Sequence, residues 1–520
     1  MMARQKRSSF QGSFLLMGML LIGAAFLCLI AGLMAAVLSP GALVRLLALP
    51  MGVMALIGMW VMPKRKTAPD ALLNGLLLLL VLFINLWPAY IVYRFGGLPS
   101  INPTKLAWLS LLMVGGFCIL SCRDPMERLV RRCKAHPFMV FSVLFLFAWR
   151  VLSSAMGEQP ISQVLSLAVE VITCYIAFFV FLAILRDEKD VYRLLGLLIL
   201  VAIVQALLAS YEAAVKHTLF DRFIVLSAED SATMLDTVRE KFRDGHYRAQ
   251  GTFEHPMVLA EFMAMMAPLA VAVFLSNPTR LLRWASAAFI PLAFIVILSS
   301  RSRVGVVVLV AAVLLAGALL LLPRGRNLGQ EKANLSLLMA ILLLPVFLIV
   351  GYFALHEVTA LVVGRSQGEM SSTMSRVMML ERGMPLIAAN PFMGFGNGIG
   401  VVKLGFFDGV RYNIDNYWLG IALDSGIPGL LAFLSIFGSG VLLGLKMYKQ
   451  RADGAGMAAG FMAIAILILL GCKTVLSIFS GLTLGYLLLA AIVVLAESPE
   501  QAAPEVEKKV KRPGRMLKAK

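Results

Sequence analysis

The chain has 520 residues, of which 60% are hydrophobic and only 15% are charged, and its mean hydropathy is +0.86. A soluble domain uses roughly 45 to 50% apolar residues, so this composition excludes an ordinary soluble fold. The formal net charge of +18 is spread over short basic clusters between apolar segments. This distribution argues against a nucleic-acid-binding face and indicates signals of membrane topology.

Apolar segments long enough to cross a bilayer recur along nearly the whole chain. A crossing helix needs about 20 apolar residues, which predicts an all-α polytopic membrane protein of about fourteen transmembrane helices. The first segment lacks a small-residue cleavage site, so we expect an uncleaved helix there. The predicted helices span residues 13–37, 42–62, 71–92, 106–122, 138–153, 161–185, 194–214, 257–276, 284–300, 304–322, 335–355, 427–448, 457–472 and 480–496.

The same pattern divides the chain into six parts. These are N-terminal transmembrane helices (1–215), an outer loop (216–256), central transmembrane helices (257–355), a long outer loop (356–426), C-terminal transmembrane helices (427–496) and a basic tail (497–520). Short loops on one side hold most of the Lys and Arg residues, which marks that side as the cytoplasm and places both termini there. We expect function in the two outer loops, because they combine polar, glycine, aromatic and charged residues.

Several enzyme signatures are absent from the sequence. It contains no G-x-x-x-x-G-K-[ST] phosphate loop, no H-E-x-x-H zinc helix and no D-x-D pair, so we do not expect a nucleotide-driven cytosolic enzyme. The cysteines lie in predicted helices or on the inner side, which gives no disulfide framework. Cys118 and Cys122 have i,i+4 helical spacing and are interpreted as packing residues rather than metal ligands. We expect no cofactor and no metal.

Arginines cluster instead at the predicted outer surface. A guanidinium is a planar fork of donors that stays charged, so several can bind a diphosphate and stabilise the charge that grows on it as it leaves, without a metal ion. The alternative role for each is a membrane-interface anchor. The cluster comprises Arg248, Arg301, Arg303, Arg365, Arg376 and Arg382.

Four segments, in order, resemble those of the O-antigen ligase and polymerase superfamily of bacterial surface-polysaccharide enzymes. The first is "RAQGTFEHPMVLAEF", similar to an Arg-x-x-Gly-Thr-Phe segment that runs into a helix, and the second is "SRSRVG", similar to an outer turn that opens a helix. The third, "SRVMMLERGMPLIAANPFMGFGNG", resembles an Arg followed by a Pro and a Gly-x-Gly turn. The fourth, "DNYWLGIALDSGIPGLLAF", resembles His-Asn-x-x-Leu, an acidic residue and Gly-x-x-Gly-Leu.

The resemblance implies a metal-independent, inverting glycosyltransferase of a bacterial inner membrane that works on the periplasmic face. Its implied partners are a polyprenyl-diphosphate-linked glycan, membrane lipids and other polysaccharide assembly and export proteins, but no nucleic acid. The implied catalytic residues are Arg303 and Arg376, which hold the diphosphate, and Asp415. The implied substrate-binding residues are Arg248, Arg301, Arg382, Asn416, Gly394 and Gly396.

Position 415 departs from the family pattern. Ligases of the family usually have His before Asn, whereas this chain has Asp415 before Asn416. A carboxylate can still act as general base on an acceptor hydroxyl, and the departure favours a polymerase over a lipid A-core ligase. Two alternatives are that Asp415 caps the following helix and that an outer histidine supplies the base. Those histidines are His217, His246, His255 and His356.

Several charged residues fall within predicted helices, among them Arg150, Glu170, Glu212 and Glu261. Each costs roughly 2.5 to 3.5 kcal/mol at the bilayer centre, so we expect them to face the bundle interior or a wet cavity. We expect Arg150 to pair with Glu170. Two alternative roles for these charges are transport and the lining of an acceptor groove.

The leading functional hypothesis is a polymerase that transfers a growing glycan from its polyprenyl diphosphate carrier to the next lipid-linked repeat. A ligase that attaches the finished glycan to lipid A core is the alternative within the enzyme class. A lipid-linked oligosaccharide flippase or transporter is the alternative from another class. Transporters usually show related halves and broken helices near the midplane, whereas polar residues here concentrate on one face, which favours an enzyme.

Overall fold

The computed structural model describes residues 67–88, 90–93, 101–223, 241–243, 245–276, 279–322, 367–407 and 412–497. The predicted helices at 13–37, 42–62 and 335–355, the tail from 498 onward, Arg365 and His356 lie outside the described residues. All three predicted catalytic residues, Arg303, Arg376 and Asp415, lie within them.

The described part is almost entirely helical. One short antiparallel hairpin joins β1 (Phe242–Arg243) to β2 (His246–Tyr247). A π-helical stretch at Val171–Ile176 lies within one of the longer helices. The helices are α1 (Asp70–Leu86), α2 (Pro103–Ser121), α3 (Arg123–Ala135), α4 (Pro137–Ala155), α5 (Pro160–Ile184), α6 (Glu188–Val215), α7 (Pro256–Ser276), α8 (Arg280–Ser299), α9 (Arg303–Leu321), α10 (Gln367–Ala389), α11 (Ile399–Leu404), α12 (Tyr417–Gln450), α13 (Gly454–Lys473) and α14 (Gly481–Ala496).

Nine of the helices in the described ranges are long and apolar enough to cross a membrane. They are α2, α4, α5, α6, α7, α8, α9, α12 and α13, while α1 and α14 are apolar but shorter. The predicted class, an all-α polytopic membrane protein, is confirmed. The number of crossings in the whole chain and the two outer loops stay predictions.

Side-chain caps set where several helices begin. The side-chain oxygen of Asn102 accepts a hydrogen bond from a backbone N–H in the first turn of α2, and Thr279 does the same for α8. Ser302 caps α9 through the N–H of Gly305, at 3.2 Å. Such caps satisfy backbone donors that have no partner within the helix. The cap at Ser302 therefore fixes Arg303 as the first residue of α9.

Helix α3 lies in a basic segment for which the sequence predicted no helix. Its Arg132 is fully buried and donates hydrogen bonds to backbone carbonyls at the end of α5 and to Glu497, at 2.8 Å. Burial acts to raise the pKa of the Glu497 carboxyl, but the hydrogen bonds from Arg132 and Arg131 outweigh it and hold that pKa below its ordinary value. This contact fastens the end of α14 to α3.

The segment 356–426, expected to be a loop, contains two helices, and α12 begins earlier than expected. The sequence predicted a helix from 427. In the structure the chain is helical on both sides of Gly426, whose φ of 68° and ψ of −174° introduce a break. A side chain at Gly426 would lie 2.2 Å from the carbonyl oxygen of Phe392, so the packing requires glycine there.

Helix α7 lies at the centre of the bundle. It is buried over most of its length, as is α13, whereas α8 exposes large apolar side chains such as Leu281 and Trp284. A helix that is apolar on all faces is expected in such a central position. The segment that precedes α7 is thereby held close to the end of the bundle where α9 and α12 begin.

Candidate functional site

Glu212, at the end of α6, organises the segment before α7. The hydroxyl of Tyr247 donates to its carboxylate at 2.6 Å, and the backbone N–H groups of Gln250 and Gly251 donate at 3.3 Å and 2.5 Å. Glu212 is fully buried, as expected for a charged residue that faces the bundle interior. Backbone and hydroxyl donors thus satisfy its carboxylate, which gives Glu212 a structural role in this segment.

Arg248 is buried and supports the neighbouring turn. Its Nε donates to the carbonyl of Ser300 at 3.0 Å, and the N–H of Ala249 donates to the carbonyl of Ser299 at 3.3 Å. The turn after α8 is therefore tied to the segment before α7. Arg248 was predicted to bind substrate, and the structure places it where it fixes the turn that carries Arg301 and Arg303.

The turn between α8 and α9 presents two arginines beside an apolar groove. Arg301 is exposed and has a left-handed backbone with a φ of 50°, which directs the chain into α9. The groove has a volume of about 460 Å³. It is lined by Ile297, Leu298, Ser299, Arg301, Ser302, Arg303 and Val306.

The three predicted catalytic residues meet along helix α10. Arg303 donates to the hydroxyl of Thr373 at 3.2 Å, and Nε of Arg376 lies 3.3 Å from a carboxylate oxygen of Asp415. Thr373 and Arg376 are three residues apart, so they lie on the same face of α10. The side chains of Arg376 and Asp415 are 23% and 30% exposed, which leaves the pair accessible to a ligand.

The structure separates the roles of Asp415 and Asn416. Asn416 caps α12 by accepting a hydrogen bond from the N–H of Leu419 at 3.0 Å. Asp415 instead accepts a hydrogen bond from Asn413, at 3.3 Å, and forms the ion pair with Arg376. The alternative in which Asp415 caps the helix is therefore wrong, and the cap is Asn416. The sequence did not predict the ion pair.

Gly394 and Gly396 form a turn that packs against α12. Both have positive φ values, 66° and 85°. In the same turn, the N–H groups of Phe395 and Gly396 donate to the carbonyls of Leu423 and Asp424, at 2.8 and 2.9 Å. The turn thus supports the break in α12.

Arg382 is the remaining predicted substrate-binding residue, and it lies on α10. Its guanidinium carbon is 4.7 Å from the centre of the Phe406 ring, a cation–π contact. The structure therefore brings Arg301 and Arg303 to one groove and pairs Arg376 with Asp415 on the helix that Arg303 contacts. The contacts of the other predicted site residues are with the protein itself, namely Arg248, Arg382, Asn416, Gly394 and Gly396.

The described outer histidines have contacts of their own. Nδ1 of His255 accepts a hydrogen bond from the N–H of Met257, at 3.1 Å, where α7 begins. His217 and Asp221 share a hydrogen bond of 2.9 Å, which lowers the pKa of the Asp221 carboxyl. His246 lies in the hairpin strand β2. Asp415, by comparison, pairs with Arg376, one of the residues predicted to be catalytic.

The expected pairing of Arg150 with Glu170 is confirmed. The guanidinium of Arg150 donates to the Glu170 carboxylate, which also accepts a hydrogen bond of 2.5 Å from the hydroxyl of Tyr175. Arg150 is 5% exposed. The pair joins α4 to the π-helical stretch of α5.

The same arginine also binds the turn that supports α12. Arg150 donates to the side-chain oxygen of Asn397 at 2.6 Å and lies 3.9 Å from the carboxylate of Asp424. The hydroxyl of Ser153 lies within 2.5 and 2.7 Å of the carbonyl oxygens of Met393 and Asp424. The sequence analysis did not predict the contacts of Arg150 with Asn397 and Asp424. Asp424 is the acidic residue of the fourth family-like segment, and this was the signal that could have indicated them.

The fold and this site define a class of protein, a multi-pass membrane protein that presents arginines and a carboxylate beside an apolar groove. Residues 287–434 match the family model described as O-antigen ligase, which confirms the resemblance to the O-antigen ligase and polymerase superfamily. The matched region supports a glycosyl-transferring enzyme of polysaccharide biosynthesis. It contains Arg303, Arg376 and Asp415, whereas Arg248 precedes it. No curated protein matches the chain.

Proposed function

We propose that the chain is a membrane glycosyltransferase that polymerises repeat units of an exopolysaccharide or O-antigen from a polyprenyl-diphosphate-linked donor, on the periplasmic face of the inner membrane. The observation that carries the proposal is the groove in which Arg301 and Arg303 lie beside the apolar side chains of Ile297, Leu298 and Val306. A polyprenyl diphosphate needs both surfaces, because its head is anionic and its tail is a hydrocarbon.

The proposed reaction uses the residues along α10. The acceptor hydroxyl oxygen attacks the anomeric carbon of the donor, and the bond from that carbon to the diphosphate oxygen breaks on the opposite face, which inverts the configuration. Arg303 and Arg376 stabilise the negative charge that the diphosphate gains. Asp415 accepts the proton that the hydroxyl loses. No nucleotide is needed, since cleavage of the sugar-diphosphate bond drives the step.

The ion pair between Arg376 and Asp415 couples the two halves of the proposed reaction. An incoming diphosphate competes with Asp415 for Arg376, because both are anions that bind the same guanidinium. Donor binding then frees the Asp415 carboxylate for the acceptor hydroxyl. The base thus becomes available when the donor is in place.

A ligase that transfers the glycan to lipid A core is the second candidate, and the description of the matched family favours it. Deletion of the gene separates the two candidates. Loss of a polymerase leaves single repeat units on the surface, whereas loss of a ligase leaves polymer that is made but unattached. An assay with purified protein separates both candidates from a flippase. A flippase transfers no sugar from a defined lipid-linked donor to an acceptor.

The proposed orientation predicts which positions react with a membrane-impermeant thiol reagent. In a background without native cysteines, Ser231→Cys and Gly368→Cys should be labelled in intact inner membrane, and Gly514→Cys should be labelled only after permeabilisation. The reason is the excess of Lys and Arg in the short loops on the side of the tail. Labelling of Gly514→Cys in intact membrane would reject the orientation.

Arg303→Lys and Arg376→Lys should each lower glycan transfer by about 10²- to 10³-fold, the range for removal of one preorganised donor to a developing anion. Lysine keeps the charge but lacks the planar fork. The measurement is transfer from purified lipid-linked donor at equal protein abundance. The matched control is Arg222→Lys, an exposed arginine outside the site, which should keep wild-type transfer. Unchanged transfer in both site variants would show that these arginines are interface anchors.

A further inference from the structure

A cavity of about 280 Å³ lies beside the candidate site, where α1 ends and where α2, α7 and α14 begin. The first family-like segment continues into it, because Thr252, Phe253 and Glu254 form part of its wall. Thr252 is four residues from Arg248, at most about 14 Å along an extended chain. The cavity is also close to the start of α9, because a Cβ at Gly305 would lie 2.7 Å from the Cβ of Ala260, the neighbour of the lining residue Glu261.

Hydroxyl and amide groups dominate the polar part of the wall. They include Asn85, Thr104, Thr173, Thr252, Ser480 and Thr483. The buried hydroxyl oxygen of Ser480 has no hydrogen-bond partner within the described part of the chain. A buried polar atom of this kind is costly unless something binds it. Several of the other hydroxyls already donate to backbone carbonyls, as those of Thr104, Thr252 and Thr483 do. They offer a ligand their oxygen lone pairs, and Ser480 offers a donor as well.

The charge of the cavity excludes a phosphate. Among its lining residues in the described ranges there is no Arg or Lys, but there are two carboxylates, Glu254 and Glu261. The negative charge of Glu261 is neutralised by Lys473, whose Nζ lies 3.0 Å from the Glu261 carboxylate. Both side chains are buried. Carboxylates accept hydrogen bonds from hydroxyls. The cavity is therefore suited to an uncharged ligand rich in hydroxyl groups.

Aromatic rings complete the wall, and they belong to Trp87, Trp108, Phe253, Phe262 and Phe479. An aromatic face packs well against the apolar C–H face of a sugar ring, while the ring's hydroxyls reach polar groups at its edge. The volume of about 280 Å³ is just below the roughly 300 to 1,000 Å³ typical of ligand pockets. This size accommodates a single sugar ring better than a whole repeat unit.

We propose that this cavity binds an uncharged sugar residue of the acceptor glycan, and the assignment to the acceptor rests on the proposed function. The donor's diphosphate requires Arg301 and Arg303. These arginines belong to the turn whose Ser300 carbonyl accepts the hydrogen bond from Arg248. The cavity, which has polar and aromatic walls without basic residues, holds the other substrate.

The test uses the full chain in detergent and a panel of uncharged methyl glycosides, namely the glucoside, galactoside, mannoside and the two N-acetylhexosaminides. Val169 lines the cavity and is 65% exposed, and Leu165 on the same helix is 66% exposed and does not line it. Val169→Trp narrows the cavity, and Leu165→Trp is the matched control. The measurement is saturation-transfer NMR to the glycoside ring protons.

We expect at least one glycoside to bind the wild type and the Leu165→Trp variant, and Val169→Trp to bind it at least about tenfold more weakly, a loss equivalent to about 1.4 kcal/mol. In a transfer assay, Val169→Trp should raise the acceptor KM by a similar factor and leave donor binding unchanged. If no glycoside binds the wild type, or if Val169→Trp binds as well as the control, the proposal is overturned. If glycosides bind in the cavity but the wild type transfers no sugar from a lipid-linked donor, the sugar site stands and the proposed function fails.

Discussion

Asp415→Asn is expected to reduce glycan transfer by about 10²- to 10⁴-fold, the usual contribution of general acid–base catalysis. Asparagine has nearly the same size but accepts no proton, so the acceptor hydroxyl must attack in its neutral form without assistance. Helix α12 should be unaffected, because its cap is Asn416 and not Asp415. The measurement is transfer from purified lipid-linked donor to acceptor, with donor binding scored separately.

Donor binding distinguishes two roles of this carboxylate. If Asp415 is the base, Asp415→Asn binds the donor at least as well as the wild type, because the competing anion on Arg376 is gone. If Asp415 only orients Arg376, donor binding weakens together with transfer. Asp415→His restores the residue usual in ligases of the family and should retain part of the activity. The control is Asp221→Asn, which removes another outer carboxylate and should keep wild-type transfer. If Asp415→Asn also keeps wild-type transfer, Asp415 is not the base, and His255 or His356 becomes the next candidate for it.

Glu170→Ala is expected to destabilise the protein by about 3 to 5 kcal/mol, the range for breaking a buried ion pair by removing one partner. Arg150 would remain buried at 5% exposure without its main counter-charge. The loss should appear as a lower midpoint of thermal unfolding in detergent. Transfer should fall as well, because the same arginine holds Asn397 in the turn that packs against α12.

The matched control is Glu158→Ala. Glu158 is a glutamate between α4 and α5 whose side chain is 64% exposed, and it pairs with Lys403 at 2.7 Å. An exposed pair of this kind contributes only about 0 to 1 kcal/mol. A second variant, Arg150→Met with Glu170→Met, removes both charges of the pair and should recover part of the lost stability. The recovery is incomplete because Asp424 then loses the cation beside its carboxylate. Equal unfolding midpoints for Glu170→Ala and Glu158→Ala would contradict a buried structural pair.

The sequence by itself determined the class of protein. Long apolar segments have few stable solutions in a bilayer other than helices, because their backbone groups must be satisfied internally. It also predicted the pair of Arg150 and Glu170, since a charge inside a membrane bundle requires a partner. The arginines of the second and third family-like segments were recognised from residue type and order. The structure places Arg303 against Thr373, on the same face of α10 as Arg376, which pairs with Asp415.

Only the tertiary structure decided which of these residues touch. The Arg376–Asp415 pair, the contact of Arg303 with Thr373 and the sugar-sized cavity join segments that are distant along the chain. Local sequence patterns encode helix periodicity and caps, whereas such contacts depend on how helices pack. The start of α12 was misplaced for the same reason. A glycine and a proline normally end a helix, but at Gly426 the close approach of the Phe392 backbone stabilises a break between two helical parts.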